Sequence, residues 1–327
     1  MKVYIYCSSY QAFLAGLFLE LGNKNLEYLT PNKDIIECCK TLGISYRKIK
    51  DYRLSEFLKN SEMVKREIDK QIKKLIEGEL FFSHTQFDIG CFVFISRLPK
   101  NIKPRFLNFE QEYRVISKFE FNFSYFKYWL ISKILNRIYK TQIVIKKNGK
   151  LYVLGIEQVY LKKNNIEIID NKGSYTNEII TVIKNTHIPL PQVDNLLIHQ
   201  ELSRFISFNE LTRFYKILNR KKISVKMHPN LQNHKEESYF PSLEKINSPL
   251  PVELVFRQVK NKICSVNSVS LILASKIYPG RAISLLELVE WKDDRYKLEQ
   301  KNFLTQKSEG AILFPQSLHE LDQLLNL

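Results

Sequence analysis

Two α/β domains, each built on a parallel sheet, are the fold this sequence predicts, and three observations point to it. The chain has 327 residues, more than one ordinary hydrophobic core serves. Short apolar runs alternate with segments of helical period along its whole length. Near the middle the stretch THIPLPQVD (Thr186–Asp194) sets two prolines in a spacing suited to extended backbone, which marks a linker.

In the first half, Val3–Cys7 reads as a buried strand, followed by a helix from about Gln11 to Leu21. Leu26–Leu29 reads as a second strand, and Asp34 as the cap of a helix running through Thr41. Residues 54–77 form one long, charged amphipathic segment, with Leu54, Phe57, Leu58, Met63, Ile68, Ile72 and Leu75 at helical spacing. Glu79–Ser83 and Arg105–Phe109 are the next strands, each ending in polar residues. Residues 119–139 are crowded with aromatics and lysines. A base-stacking surface or a membrane-interface belt would use the same residues. Trp129, Leu130 and Ile134 continue at helical spacing, so the expectation is an aromatic helix packed into the domain. Residues 142–170 alternate apolar and polar about Asn148-Gly149, a hairpin signal.

After the linker come a strand at Leu196–Ile198, a helix at Phe208–Leu218 and a strand at Ile223–Met227. An apolar run at Val252–Phe256 precedes a strand at Lys262–Cys264, a loop and helix over Ser265–Ser275, and a strand at Ile283–Leu286. Ala311–Phe314 reads as a short strand, and Ser317 with Glu320 as a capping box for the last helix. There is no internal repeat. The expected domains are 1–188 and 189–327, with the last helix free to pack back on the first.

Composition bounds the partners. Hydrophobic residues make up 44% and charged residues 26%, and ten Gly and eleven Pro leave no low-complexity stretch, so disorder is not the default. The net charge of +16 suits nucleic acid, an anionic membrane face or an anionic substrate, while the abundance of Lys, Ile and Asn offers a purely compositional origin. The five cysteines (Cys7, Cys38, Cys39, Cys91, Cys264) are odd in number and lack the spacing of a zinc or redox motif, and three of them sit in apolar, strand-like runs. That usage suits a reducing cytosol. The opening MKVYIYCSSYQAFLAGLFLEL is broken by Ser8, Ser9, Tyr10 and Gln11, so it reads as strand then helix rather than a targeting segment. No run of eighteen apolar residues occurs, so membrane association would be peripheral.

In open parallel sheets ligands bind beyond the carboxyl ends of the strands, so residues just after strands carry most weight. His228 follows the apolar run ISVKM and precedes Pro229; a histidine held there can donate to a leaving phosphate or act as an acid. Alone, a His-Pro pair is more often a loop histidine with a local hydrogen bond. Cys264-Ser265-Val266-Asn267-Ser268-Val269-Ser270 follows a strand and opens a helix, where backbone N–H groups and hydroxyls attract phosphate; a plain N-cap serine is the common alternative. Neither GxGxxG nor GxxxxGK[ST] is present, which argues against dinucleotide and P-loop chemistry. The histidines and aspartates show no spacing that would hold a metal.

A His-Pro pair after a strand, with a serine motif at a helix start about forty residues later, resembles the bacterial sialyltransferases of GT-B architecture. Glycosyltransferase family 52, the lipooligosaccharide sialyltransferases, looks closest, with the capsular enzymes near behind. VYIYCSSYQAFLA is similar to that family's first strand and following turn, and SKIYPGRAISLLEL to its continuation after the serines. The resemblance is loose over most of the chain and best over 196–290.

The resemblance implies an α/β, GT-B-like fold of two Rossmann-type domains facing a central cleft, the first on the acceptor side and the second binding the nucleotide sugar. It implies CMP-sialic acid as donor, a glycan hydroxyl as acceptor, and neither metal nor cofactor. His228 and Pro229 would meet the donor phosphate, together with Asn267, Ser268 and, through the family's second serine position, Ser270. Val269 separates the two serines, where the family has them adjacent. Ser8, Ser9 and Gln11 would face the acceptor. The family's general base lies in an acidic pair followed by glycine, which this chain lacks; Glu110 in NFEQEY and Glu201 in HQELSR each follow a strand and are the candidates, Glu110 preferred and Glu112 a weaker third. The expected setting is the cytoplasm, with peripheral contact to an anionic membrane, room for a homodimer, and no nucleic-acid partner. Two other readings stay open: a GT-B transferase with a different sugar nucleotide, and a basic nucleic-acid-binding protein, the latter without any zinc-finger or RNP-like motif.

Overall fold

The apolar run KVYIY, Lys2–Tyr6 (β1), lies at the centre of a six-stranded sheet because it can be buried on both faces; Tyr4 and Ile5 are almost wholly inaccessible. The computed structural model describes residues 2–22, 25–82, 89–108, 123–141, 143–148, 151–156, 166–170, 175–188, 190–200, 202–203, 205–227 and 243–326. Two compact units divide between Val182 and Ile183. Both are α/β with parallel sheets.

The first unit runs β1, α1 (Tyr10–Gly22), β2 (Leu26–Thr30), α2 (Lys33–Leu42), β3 (Tyr46–Lys48), α3 (Leu54–Lys59), α4 (Ser61–Ile72), β4 (Gly78–Phe82), α5 (Ile89–Ser96) and β5 (Ile102–Asn108). It continues with α6 (Phe123–Tyr139), β6 (Ile143–Asn148), β7 (Leu151–Ile156), β8 (Glu167–Asp170) and α7 (Tyr175–Asn185), whose last residues lie beyond the division. The sheet order is β3-β2-β1-β4-β5-β8, all parallel, and β6-β7 form the expected antiparallel hairpin. Gly78 is dictated by packing: a Cβ there would lie 2.1 Å from the Lys2 carbonyl oxygen.

Several expectations need correction. The helix after β2 is capped by Asn32, whose side chain accepts from the Asp34 amide, because Asp34 already lies inside the first turn. The amphipathic segment is two helices, not one, parting at Asn60, where φ −120° leaves the helical region. Cys91 sits on α5 rather than a strand, although all five cysteines are buried, as free thiols. Ile131, Leu135 and Tyr139 do join α6 to the core, with the Tyr139 hydroxyl donating to the Phe57 carbonyl at 2.7 Å. Phe126, Trp129 and Leu130 do not pack inward; they are exposed.

The second unit contains β9 (Val193–Ile198), α8 (Phe208–Leu218), β10 (Ser224–Lys226), α9 (Val252–Val255), β11 (Val259–Ser265), α10 (Ser270–Ile277), β12 (Ala282–Ser284), α11 (Asp294–Lys307) and α12 (Leu318–Leu325). Its parallel order is β10-β9-β11-β12. The Arg257 guanidinium donates to the carbonyls of Lys184 and Thr186, and the Gln258 amide to that of Ile188, which ties this stretch to the second unit. The last helix buries Leu321 and Leu325 in the second unit's own core, and Lys221 clamps Asp322. Its cap is as expected at Ser317, but Glu320 reaches the Gln316 amide, one residue short of a full capping box. The Ala311–Phe314 run is a single parallel bridge of Leu313 to Ile283, not a strand.

Candidate functional site

Each unit ends its sheet in polar groups. In the first, the carboxyl ends of β1, β2 and β3 open on a cavity of about 680 Å³. Ser8 and Ser9, in the turn between β1 and α1, line it. The Ser9 hydroxyl accepts the Ala12 amide at 3.2 Å and so also caps α1. Gln11 lies on α1. Asn32 bridges the floor, its amide donating to the Ser8 carbonyl at 3.3 Å while its oxygen caps α2.

The far wall carries residues that sequence reasoning did not single out: Lys50, Asp51 and Tyr52, just beyond β3. Glu67 of α4 organises them. Its carboxylate accepts from the Lys50 ammonium and the Tyr52 hydroxyl, both at 2.9 Å, and these two bonds hold it below the usual glutamate range. The Lys50 ammonium sits 4.9 Å from the Tyr52 ring centroid. Asp51 is exposed at the cavity's rim. Hydroxyls, amides, an ammonium, a carboxylate and aromatic rings together suit a polar, hydroxyl-rich ligand.

In the second unit the polar groups are buried and satisfy one another. The Ser265 hydroxyl, at the end of β11, donates to the Gln200 side-chain oxygen at 2.8 Å, and the same oxygen accepts the Asn267 amide at 3.1 Å. Gln200 stands just past β9, so one side chain ties two neighbouring strand ends together. Ser268 accepts the amide of Ser270, the first residue of α10, at 3.3 Å. The Ser270 hydroxyl donates to Glu253 on α9 at 2.8 Å. Burial pushes the Glu253 carboxyl above the usual range, against the opposing pull of the Ser270 hydrogen bond and the Lys226 charge. Lys226, the last residue of β10, is itself buried and donates to the Ser248 carbonyl at 2.6 Å. The structure thus gathers Asn267, Ser268 and Ser270 at one strand-to-helix turn and adds Glu253, Lys226 and Gln200, which were missed. The signal was there: a lysine in ISVKM and a glutamate in PVELVF interrupt apolar runs.

His228, Pro229, Glu110, Glu112 and Glu201 lie outside the described residues. His199, next after β9, is buried with its Nε2 3.2 Å from the Tyr215 hydroxyl. Among the described residues no three His, Cys, Asp or Glu converge on a metal position, and no helix is long and apolar enough to cross a membrane.

No protein-family model and no curated protein matches the chain. Solved structures similar to it include a 2,6-sialyltransferase from a Photobacterium species of the Vibrionaceae, in complex with CMP and lactose (10% identity, 96% of this chain and 78% of that one, TM-score 0.46). The wall teichoic acid polymerase TagF is another (14% identity, 99% and 80%, TM-score 0.44), as is the glycosyltransferase SnogD from Streptomyces nogalater (8% identity, 99% and 90%, TM-score 0.44). At such identities and scores the likeness bears on no individual residue and on no reaction.

Proposed function

We propose that the chain is an inverting glycosyltransferase that moves sialic acid from CMP-sialic acid to a hydroxyl of a bacterial surface glycan. One observation carries the reading: the serine turn at the carboxyl edge of the second sheet, where Ser270 opens α10 and bonds the half-buried Glu253, whose carboxylate also feels the Lys226 charge. A helix start at a parallel strand end is where an anionic phosphate is favoured. His228 follows β10, the strand carrying Lys226, by two positions in sequence. In this reading the donor phosphate meets His228, Asn267 and the α10 amides, and the acceptor occupies the Ser8–Ser9 cavity of the first unit.

The reaction is a single displacement. A carboxylate takes the proton of the acceptor hydroxyl, whose oxygen bonds to the anomeric carbon of the sugar. The bond from that carbon to the phosphate oxygen breaks, and CMP leaves with the electron pair. Glu110, Glu201 and, more weakly, Glu112 remain candidates for the base, and Asp51, at the rim of the cavity, joins them. Charge on the leaving phosphate is met by His228 and the serine turn, with no metal invoked.

Thermal-shift titration with CMP, UMP and CMP-sialic acid tests the reading, with His228→Ala alongside. The expected result is stabilisation by the cytidine compounds that weakens in the variant and survives EDTA. Stabilisation by a uridine compound alone would move the donor to another sugar nucleotide. No shift with any nucleotide at millimolar concentration would sink the assignment.

A further inference from the structure

Helix α6 has two apolar faces, and among the described residues only one of them is covered. Ile131, Leu135 and Tyr139 recur every fourth residue and are buried in the first unit's core. On the opposite side, Phe126, Trp129, Leu130, Lys133 and Arg137 recur at helical spacing along one stripe. Their large apolar members face solvent: Phe126 is 60% exposed, Leu130 44% and Trp129 40%. The Phe126 and Trp129 rings stack at 5.8 Å with an interplanar angle of 24°, and the Lys133 ammonium lies 5.9 Å from the Trp129 centroid. A cluster of this kind on a surface marks an interaction site.

Charge selects the occupant. From Phe123 to Lys140 the chain carries Lys127, Lys133, Arg137 and Lys140 and no acidic residue. A second copy of the chain would bring the same cations face to face with nothing to neutralise them. A single-stranded nucleic acid would use rings separated widely enough to stack bases between them. Here the two rings lie on each other and continue into Leu130, an aliphatic surface. Aromatic and leucine side chains flanked by lysine and arginine along a helix match the boundary layer of an anionic bilayer, where rings enter the acyl region and cations meet phosphates. With 17 residues and three cations on it, α6 is suited to lie in that layer and not to cross it. We propose that the Phe126–Trp129–Leu130 face of α6 docks the protein on an anionic phospholipid surface.

Flotation of the full chain with phosphatidylcholine vesicles, with and without phosphatidylglycerol, tests this. Binding is expected only with the anionic lipid. Trp129 and the buried Trp291 are the chain's two tryptophans, so a blue shift of emission on binding should disappear in Trp129→Phe while flotation persists. The triple variant Phe126→Ser, Trp129→Ser, Leu130→Ser removes exposed side chains only, so its Tm is expected to hold while partitioning falls roughly tenfold or more. Lys127→Gln and Lys133→Gln are each expected to weaken binding about fivefold. Equal flotation of the triple variant, or binding indifferent to phosphatidylglycerol, would overturn the proposal. Capture of a single-stranded oligonucleotide with quenching of Trp129 and no vesicle binding would overturn it in favour of nucleic acid.

Discussion

The two sheets are built by one topological rule, yet their carboxyl edges are finished differently. At the edge of the first unit, polar side chains line an open cavity, and their mutual contacts, such as Lys50 and Tyr52 on Glu67, are partly solvated. At the edge of the second, Lys226, Ser265, Ser268 and Ser270 are buried, Glu253 is half-buried, and each is hydrogen-bonded within the unit. The difference is energetic as well as geometric. Groups already desolvated and oriented cost no reorganisation when charge develops next to them. Groups in an open cavity can adapt to ligands of varied shape. A fixed anionic group suits the preoriented edge, and a ligand of variable shape the open one.

Three experiments would break or sharpen that contrast. The largest effect is expected in turnover. If the open cavity supplies the base, Asp51→Asn lowers kcat about 10²–10⁴-fold with CMP binding intact. If Glu110→Gln or Glu201→Gln has that effect instead, the cavity only holds the acceptor.

A smaller effect is expected at the buried edge. Glu253→Ala strands the Ser270 hydroxyl without its acceptor and should cost about 1–3 kcal/mol in denaturant unfolding. Because burial raises the Glu253 pKa, its ionisation opposes folding. That penalty is absent below the ordinary glutamate range and grows as pH rises through the higher folded-state value. Glu253→Gln should therefore keep the hydrogen bond and flatten the pH dependence of stability above the ordinary range. An unchanged pH profile would mean that the site is wetter than its burial implies.

The smallest effect belongs to the open edge. Glu67→Gln removes the charge that Lys50 and Tyr52 share, yet solvent screens so exposed a pair, so Tm should barely move. A large drop in Tm would show that the cavity wall is as rigid as the serine turn.

What was legible in the sequence follows from burial. Parallel strands covered on both faces must be continuous apolar runs, so β1, β2, β9 and β10 stood out. The serine cap at Ser317 stood out because an unsatisfied helix start selects few residue types. Helix α11 was missed, since DRYKLEQKNFLTQK has no apolar stripe and buries only Gln300 and Leu304. The break at Asn60 was missed because periodicity persists across it.

By itself, the sequence determined the α/β class, the strand-to-helix turn at Ser265–Ser270 and the excess of positive charge, each a property of neighbours along the chain. Tertiary structure alone decided that Glu253 and Lys226 stand beside the serine turn, that Glu67 gathers Lys50 and Tyr52, and that one face of α6 stays uncovered. Helical spacing fixes which residues share a face. Whether another element covers that face depends on contacts between residues far apart in sequence, which no local pattern encodes.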